Sequence, residues 1–221
     1  TGAVSMVVPA AGYEPIIWST ETITGMGMDP GKFPPFVRPG DLVGTVSRSG
    51  SADFLLPEGT PVFAGGPDFV MSLLGTGTVH AGRACDRSGT SEGINLCSPV
   101  PITDRRLFCQ GHVITGKYHI SGIISTSGKS LAWLRSVTGF ENRSYEEIIG
   151  WAEKTPPGAD GLLFLPYLSG ERAPIWDPHA RGAFIGLTLN HDRGHLVRAV
   201  LESVGFAIRD VLETMEENGL S

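Results

Sequence analysis

The stretch GAFIGLTLNHDRGHLVRAVLE, residues 182–202, decides the fold class of this chain. Its second half opens a long helix, which we predict from Asp192 to about Asn218 with Gly219 as the stop signal. A helix that is apolar along one face must pack that face against other elements, so the rest of the chain has to supply them. The apolar positions that share this face are Leu196, Val200, Ala207, Val211 and Met215.

Upstream of this helix, short strands alternate with helices. The run LLFL at residues 162–165 indicates a buried strand, and PPG at residues 156–158 ends the helix before it. This alternation predicts an α/β fold. Strands are predicted over residues 41–47, 61–64, 83–87, 94–96 and 112–120, helices over 19–28, 69–74, 125–138 and 145–154, and a turn over 47–51 (SRSGS).

Composition and charge narrow the class of protein. Hydrophobic residues make up 41% of the 221 residues and charged ones 18%, which is typical of a globular chain. The net charge of −6 disfavours nucleic acid or an anionic membrane as the main partner. No apolar run approaches the roughly 20 residues that span a bilayer, and no secretory leader is found. Because the three cysteines form no C-x-x-C pair, we predict reduced thiols in a cytoplasmic protein.

The segment AGGPD, residues 64–68, places a carboxylate just after a strand that we predict to be buried. Ligands of open α/β sheets bind beyond the carboxyl ends of strands, and glycines there let a substrate approach the backbone. Asp68 could then accept a proton from a hydroxyl group. The alternative is that Asp68 only caps the helix that begins at Phe69.

The segment SGTSEG, residues 88–93, predicts a tight hairpin turn. Such a turn can point several backbone N–H groups at one phosphate, although a plain hairpin remains an alternative. The same residues spell G-x-S-x-G with Ser91 at the centre, the nucleophile elbow of serine hydrolases. That motif requires a helix after the turn, whereas the residues after Gly93 (INLCSPVP) favour a strand.

The segment SGKS, residues 127–130, resembles part of a P-loop but fails the full pattern. A Walker A motif requires glycine at position 123, which is isoleucine here. What remains is Gly128 at a helix start, where amides and the helix dipole favour an anion. The alternative is an ordinary capped helix with a solvated Lys129.

Taken together, these segments resemble the FGGY carbohydrate kinases. Residues 182–202 are similar to the C-terminal signature of that family, and the blocks GADGLLFLPYLSGERAP (158–174) and DPHARGAF (177–184) are similar to xylulokinase-type members. The resemblance covers essentially the whole chain and is weakest over the first 40 residues. The signature positions that match are Gly182, Phe184, Gly186, Leu187, His195, Leu196, Ala199, Val200, Leu201 and Glu202.

The resemblance implies an actin-like ATPase (ribonuclease H-like) fold with two domains around a deep cleft. Residues 1–80 would end the sugar-binding domain and residues 81–221 would begin the nucleotide-binding domain. Asp68 would be the general base that takes the proton from the sugar hydroxyl attacking the γ-phosphate of ATP. Gly89 and Thr90 align with the hairpin that contacts the ATP phosphates, and Gly128 with a helix-start glycine at the nucleotide. Mg²⁺ is expected to neutralise the phosphates, and we assign no residue of the chain as a metal ligand.

The resemblance also implies a substrate, a ketose or polyol with xylulose as the first choice. Phe69 departs from the family, which often has a polar residue that contacts the sugar at this position. The N-terminal D-x-G-T phosphate loop and the later Gly-rich adenosine block are absent. Because members of the family are considerably longer, we predict that both ends are missing and that the isolated chain is inactive.

Three further points stay open at this stage. An actin-like protein that binds nucleotide for a regulatory purpose, without sugar chemistry, is the alternative function from a different class. Glu171 and Arg172 lie in a loop that the resemblance places near the cleft, and a structural ion pair between them is an equal alternative. The sequence leaves a homodimer open.

Overall fold

The computed structural model describes residues 7–9, 16–66 and 68–220. The chain forms two compact units: the first reaches Thr76 and also includes Gly111–Gly116, and the second comprises Gly77–Gln110 and the chain from Lys117 onward. The assignment of residues 1–80 and 81–221 to a sugar and a nucleotide domain stays a prediction. In the described part of the chain, no helix is both long enough and apolar enough to cross a lipid bilayer.

The first unit consists of short elements. The helix predicted near Ser19 is confirmed, since Ser19 Oγ accepts a hydrogen bond from the Thr22 N–H at 3.2 Å and so caps it. Two antiparallel strand pairs, β1 with β2 and β3 with β4, accompany the helices. The elements are β1 (Val7–Pro9), β2 (Ile16–Trp18), α1 (Thr20–Gly25), a 3₁₀ turn (Pro30–Lys32), β3 (Leu42–Thr45), α2 (Arg48–Phe54), β4 (Pro61–Phe63) and α3 (Asp68–Gly75).

Two predictions for the first unit are wrong. Residues 48–54 form a helix rather than a turn, because Ser47 Oγ accepts the Gly50 N–H at 3.1 Å and this cap outweighs the turn-forming composition. The strand before Asp68 is not buried, since Val62 is 40% and Phe63 is 59% exposed. The apolar run PVF therefore predicted a strand correctly but its environment incorrectly.

The second unit is built on a four-stranded sheet with the order β5 (Ala84–Arg87), β6 (Glu92–Ser98), β8 (Tyr118–Ile124) and β7 (Phe108–Gly111). The predicted hairpin is confirmed: β5 and β6 pair antiparallel, with Arg87 opposite Gly93. The strand predicted over residues 112–120 is displaced, because Gly116 turns the chain at φ +76° and pairing begins only at Tyr118.

One helix connects the two apolar cores of the second unit. The long helix predicted from residues 192–218 is confirmed as α6 (Arg193–Glu217). Its C-terminal half packs Val211 and Met215 against the sheet, and its N-terminal half packs Val197 and Val200 against a second cluster. The second cluster is supplied by α4 (Gly128–Val137), α5 (Tyr145–Glu153), β9 (Leu163–Leu165) and β10 (Ala183–Ile185).

The sheet and α6 approach so closely at Gly122 that no side chain fits there. A Cβ atom at Gly122 would lie 2.3 Å from Cγ1 of Val211, which is fully buried. We expect Gly122→Ala to lower the free energy of unfolding by about 1–3 kcal/mol through overpacking. Urea unfolding of the full-length protein measures this loss, and a second substitution, Val211→Ala, should recover part of it.

The matched control is Gly111→Ala in β7, where a Cβ atom would meet nothing within 4 Å. This variant should unfold like the wild type. An equal loss of stability in both variants would mean that the contact with Val211 is not the cause.

The start of α6 carries a histidine between two aspartates. Asp192 caps the helix, and its Oδ1 lies 2.7 Å from His195 Nδ1, while Asp160 Oδ2 lies 3.1 Å from His195 Nε2. Both contacts with carboxylates are hydrogen bonds only when both ring nitrogens carry a proton, whereas an unprotonated Nδ1 accepts the backbone N–H of Asp192 at 3.1 Å. Hydrogen bonding to Asp192 and then to Asp160 raises the pKa of His195, and the same bond lowers the pKa of Asp192.

We therefore expect a pH-dependent stability with a defined sign. The His195 contribution is complete below the ordinary histidine pKa of about 6.5 and disappears as the pH rises through the raised pKa. The Asp192 contribution is present above the ordinary aspartate pKa of about 4 and disappears as the pH falls through the lowered one. Thermal unfolding between about pH 6 and pH 9 should show a fall in midpoint that His195→Gln reduces and that the exposed control His179→Gln preserves.

Candidate functional site

Asp68 is the first residue of α3 in the first unit. Its side chain is exposed, and Oδ1 accepts the N–H of Phe69 at 2.7 Å. The carboxylate therefore makes a local hydrogen bond at the helix start, close to what the capping alternative predicts, yet it stays accessible to a ligand. Its second oxygen, Oδ2, makes no hydrogen bond with any residue that the structure describes.

In the second unit, the hairpin and the start of α4 come together. The carbonyl of Gly89 accepts hydrogen bonds from the Gly128 N–H and from Ser127 Oγ, both at 3.1 Å. The carbonyl of Thr90 accepts from the N–H groups of Ser127 at 3.2 Å and Lys129 at 3.4 Å. We call this set of four hydrogen bonds the hairpin–helix clamp. The sequence singled out Gly89, Thr90 and Gly128, and the fold brings them into direct contact.

The clamp explains why glycine stands at position 128. A Cβ atom there would lie 2.5 Å from the carbonyl oxygen of Gly89, a backbone atom that cannot move without the hairpin. The clamp also occupies the helix-start amides that the sequence offered to an anion, since those of Ser127, Gly128 and Lys129 all donate to the hairpin. An anion at this place would therefore need other donors, and the clamp leaves the N–H groups of residues 89–91 unused.

Two carboxyl groups, those of Asp86 and Glu92, lie at the base of the hairpin and share a contact with Ser88. Ser88 Oγ lies 3.0 Å from Asp86 Oδ2 and 2.8 Å from Glu92 Oε1, and Glu92 is only 5% exposed. Burial, followed by the hydrogen bond with Glu92, raises the pKa of Asp86. The Ser88 hydroxyl can donate to only one of these two carboxyl groups. The raised pKa favours the protonated form of Asp86, which can donate a hydrogen bond of its own, so that both contacts are kept. The pair fixes the strands from which residues 89–91 project.

Glu171 and Arg172 contact the same short segment rather than each other's side chains. Glu171 Oε1 accepts the Ser125 N–H at 2.7 Å, and Arg172 Nε donates to Ser125 Oγ at 3.3 Å. The ion pair considered from the sequence is therefore replaced by two bonds to the residue that follows β8. The sequence offered Ser125 only as a possible cap of the next helix, because nothing local indicates a partner that lies 46 positions away.

The structure excludes the hydrolase alternative for Ser91. A nucleophile elbow places its serine between a strand and a helix. Here Ser91 lies between the two antiparallel strands β5 and β6, and β6 continues to Ser98. Within the described residues, no group of three or more His, Cys, Asp or Glu side chains is arranged to hold a metal ion.

Comparison with known proteins agrees with this geometry. Residues 86–221 match the FGGY family of carbohydrate kinases, C-terminal domain. A xylulose kinase of Staphylococcus epidermidis is 35% identical over 189 residues, which are 85% of this chain and 38% of that protein. A gluconokinase of Bacillus subtilis is 32% identical over 212 residues, which cover 90% of this chain and 41% of that protein.

The fold is likewise that of sugar kinases. The crystal structure of xylulose kinase from Rhodospirillum rubrum superimposes with a TM-score of 0.81 and 32% identity, covering 90% of this chain and 41% of that one. The chain thus spans about two fifths of the length of the relatives it matches. The predicted α/β class is confirmed, as an actin-like ATPase fold. The chain belongs to the FGGY family of carbohydrate kinases.

Proposed function

We propose that the protein transfers the γ-phosphoryl group of ATP to a hydroxyl group of a small sugar or sugar acid. The observation that carries the proposal is the hairpin–helix clamp, in which Gly89, Thr90 and Gly128 meet in a chain of this family. A hairpin held in this way presents backbone N–H groups that need no reorganisation to accept a phosphate.

Asp68 is the general base of the proposed reaction. Its exposed carboxylate accepts the proton of the attacking hydroxyl while the hydroxyl oxygen forms a bond to the γ-phosphorus and the bond to ADP breaks. The start of α3 suits this role, because Oδ1 is oriented by the Phe69 N–H at 2.7 Å and Oδ2 makes no bond with a described residue. An oriented carboxylate loses little entropy when it meets the substrate.

In the proposal, Gly89 and Thr90 meet the nucleotide phosphates, and Gly128, whose N–H donates to the Gly89 carbonyl, fixes the hairpin beside them. The fit rests on the clamp: position 128 tolerates no Cβ atom, and the N–H groups of residues 89–91 are not among the donors of the clamp. The described residues offer Mg²⁺ no cluster of three ligands, and this ion is commonly held by one or two carboxylates together with phosphate oxygens and water. Bound Mg²⁺ would neutralise charge on the phosphates.

Xylulose and gluconate are the first substrates to consider. Relatives that match most of this chain are named xylulose kinase and gluconokinase. Phe69 stands next to the proposed base and offers the sugar an apolar surface instead of a hydrogen bond. We favour xylulose, a ketose that presents a primary hydroxyl to the base.

A substrate panel tests the proposal. The full-length protein is incubated with Mg-ATP and, separately, with xylulose, ribulose, gluconate, glycerol and xylitol, and ADP release is followed. One sugar should stimulate ADP release and yield the sugar phosphate by mass spectrometry. Nucleotide binding without stimulation by any sugar would instead support a regulatory actin-like protein.

A further inference from the structure

Glu171 makes hydrogen bonds with the segment that leads into the hairpin–helix clamp, and only one of its two carboxylate oxygens takes part in them. The residue is 5% exposed. Its Oε1 accepts the N–H groups of Ser125 at 2.7 Å and Arg172 at 2.8 Å, whereas the buried Oε2 has no hydrogen-bond partner among the described residues. A buried carboxylate oxygen without a partner is unfavourable, and such groups persist where function retains them.

The hydrogen bonds around Glu171 form a continuous set that connects residues 166–173 to the end of β8. Ala173 donates its N–H to the carbonyl of Ile123 at 3.1 Å, and Thr126 Oγ1 donates to the carbonyl of Pro166. Arg172 Nε donates to Ser125 Oγ at 3.3 Å. The two residues past the end of the ladder, Ser125 and Thr126, are therefore both held by hydrogen bonds, and the next residue, Ser127, is the first of the clamp.

We propose that Glu171 is a positioning residue for the nucleotide phosphates. Its hydrogen bonds within the described residues reach neither the hairpin nor α4; it fixes Ser125, and through the short segment 125–127 it sets where Gly128 meets Gly89. This inference rests on the proposed kinase function, because it assigns Glu171 to the phosphate side of that reaction. Arg172 supports the same segment from its own side chain.

The decisive measurement separates the apparent affinity for ATP from that for the sugar. In the full-length protein, Glu171→Ala removes the acceptor of the Ser125 N–H, and we expect the KM for ATP to rise about tenfold or more. The KM for the sugar should stay within about twofold. Glu171→Gln keeps an acceptor oxygen in the same place and should restore most of the ATP affinity. A loss of folded protein alone would lower kcat and leave both KM values unchanged.

Glu202 provides the matched control. Its carboxylate also accepts a backbone N–H, that of Gly158 at 2.9 Å, and pairs with Arg198 at 2.6 Å, but it has no bond to residues 123–130. Glu202→Ala should lower the thermal midpoint without changing the KM for ATP. If Glu202→Ala raises the KM for ATP as much as Glu171→Ala does, or if Glu171→Ala leaves it unchanged, the positioning role is refuted.

Three further measurements keep the inference testable. Should Glu171→Ala not fold, Glu171→Asp shortens the side chain by one methylene group and withdraws the carboxylate from the Ser125 N–H, and an unchanged KM for ATP in this variant would refute the role. Hydrogen exchange at residues 125–129 reports on the segment without any reaction and should accelerate in the Glu171 variant. ADP binding by calorimetry needs no sugar, so weakened ADP binding supports the inference even if no sugar is phosphorylated.

Discussion

Asp68→Asn lowers kcat for sugar-dependent ADP release by about a hundredfold to ten-thousandfold, the usual contribution of a general base. The substitution removes proton affinity but keeps the size and the oxygen that accepts the Phe69 N–H at 2.7 Å. Steady-state kinetics of the full-length protein measure the loss. ADP binding by the variant should match the wild type, because Asp68 is proposed to act on the sugar hydroxyl alone.

This variant also separates catalysis from capping. Asparagine caps a helix about as well as aspartate does, so a residue that only caps α3 predicts no loss of activity. The matched control is Asp53→Asn, an exposed aspartate in α2 of the same unit. Full activity of Asp68→Asn, or an equal loss in Asp53→Asn, would remove Asp68 from the proposed mechanism.

The second large effect is expected from Gly128→Ala. The new methyl group would lie 2.5 Å from the Gly89 carbonyl oxygen, so the hairpin or the start of α4 has to move. We expect the KM for ATP to rise by at least about tenfold and the free energy of unfolding to fall by about 1–3 kcal/mol. Nucleotide kinetics and urea unfolding of the full-length protein check the two effects separately.

Gly150→Ala is the control for this substitution. Gly150 lies inside α5, and a Cβ atom there would meet nothing within 4 Å. Alanine in a helix interior stabilises by about 0.5–1 kcal/mol relative to glycine, so this variant should be slightly more stable and fully active. A Gly128→Ala protein that binds ATP normally would show that the clamp does not hold the phosphates.

The sequence predicted the elements whose signals are local. The Asp192 cap, the periodic apolar face and Gly219 together predict α6, and the small residues around Gly89 predict the hairpin. The predictions from the sequence were wrong where two local signals favour different structures. Serine and glycine at 47–51 indicate a turn, yet the Ser47 cap starts α2 there, and the alternation over 112–120 hides the positive φ of Gly116.

The site residues stay a prediction, and their contacts could not be predicted from the sequence. Asp68, Gly89, Thr90 and Gly128 were singled out by spacing and resemblance. Nothing in the sequence indicates that the carbonyls of the hairpin take up the helix-start amides, because that depends on the approach of residues 38 positions apart. Glu171 was considered as a residue near the cleft or as an ion-pair partner, and neither possibility indicates the backbone N–H that it binds.

The path of α6 has a consequence for how the second unit comes apart. At about 1.5 Å per residue, its 25 residues form a rod on the order of 37 Å long that is shared by both apolar clusters. If either cluster unfolds, the half of α6 that it covers becomes exposed. The other cluster packs on the same helix and loses support. We therefore expect the two clusters to unfold together, so that a destabilising substitution in either cluster also destabilises the other.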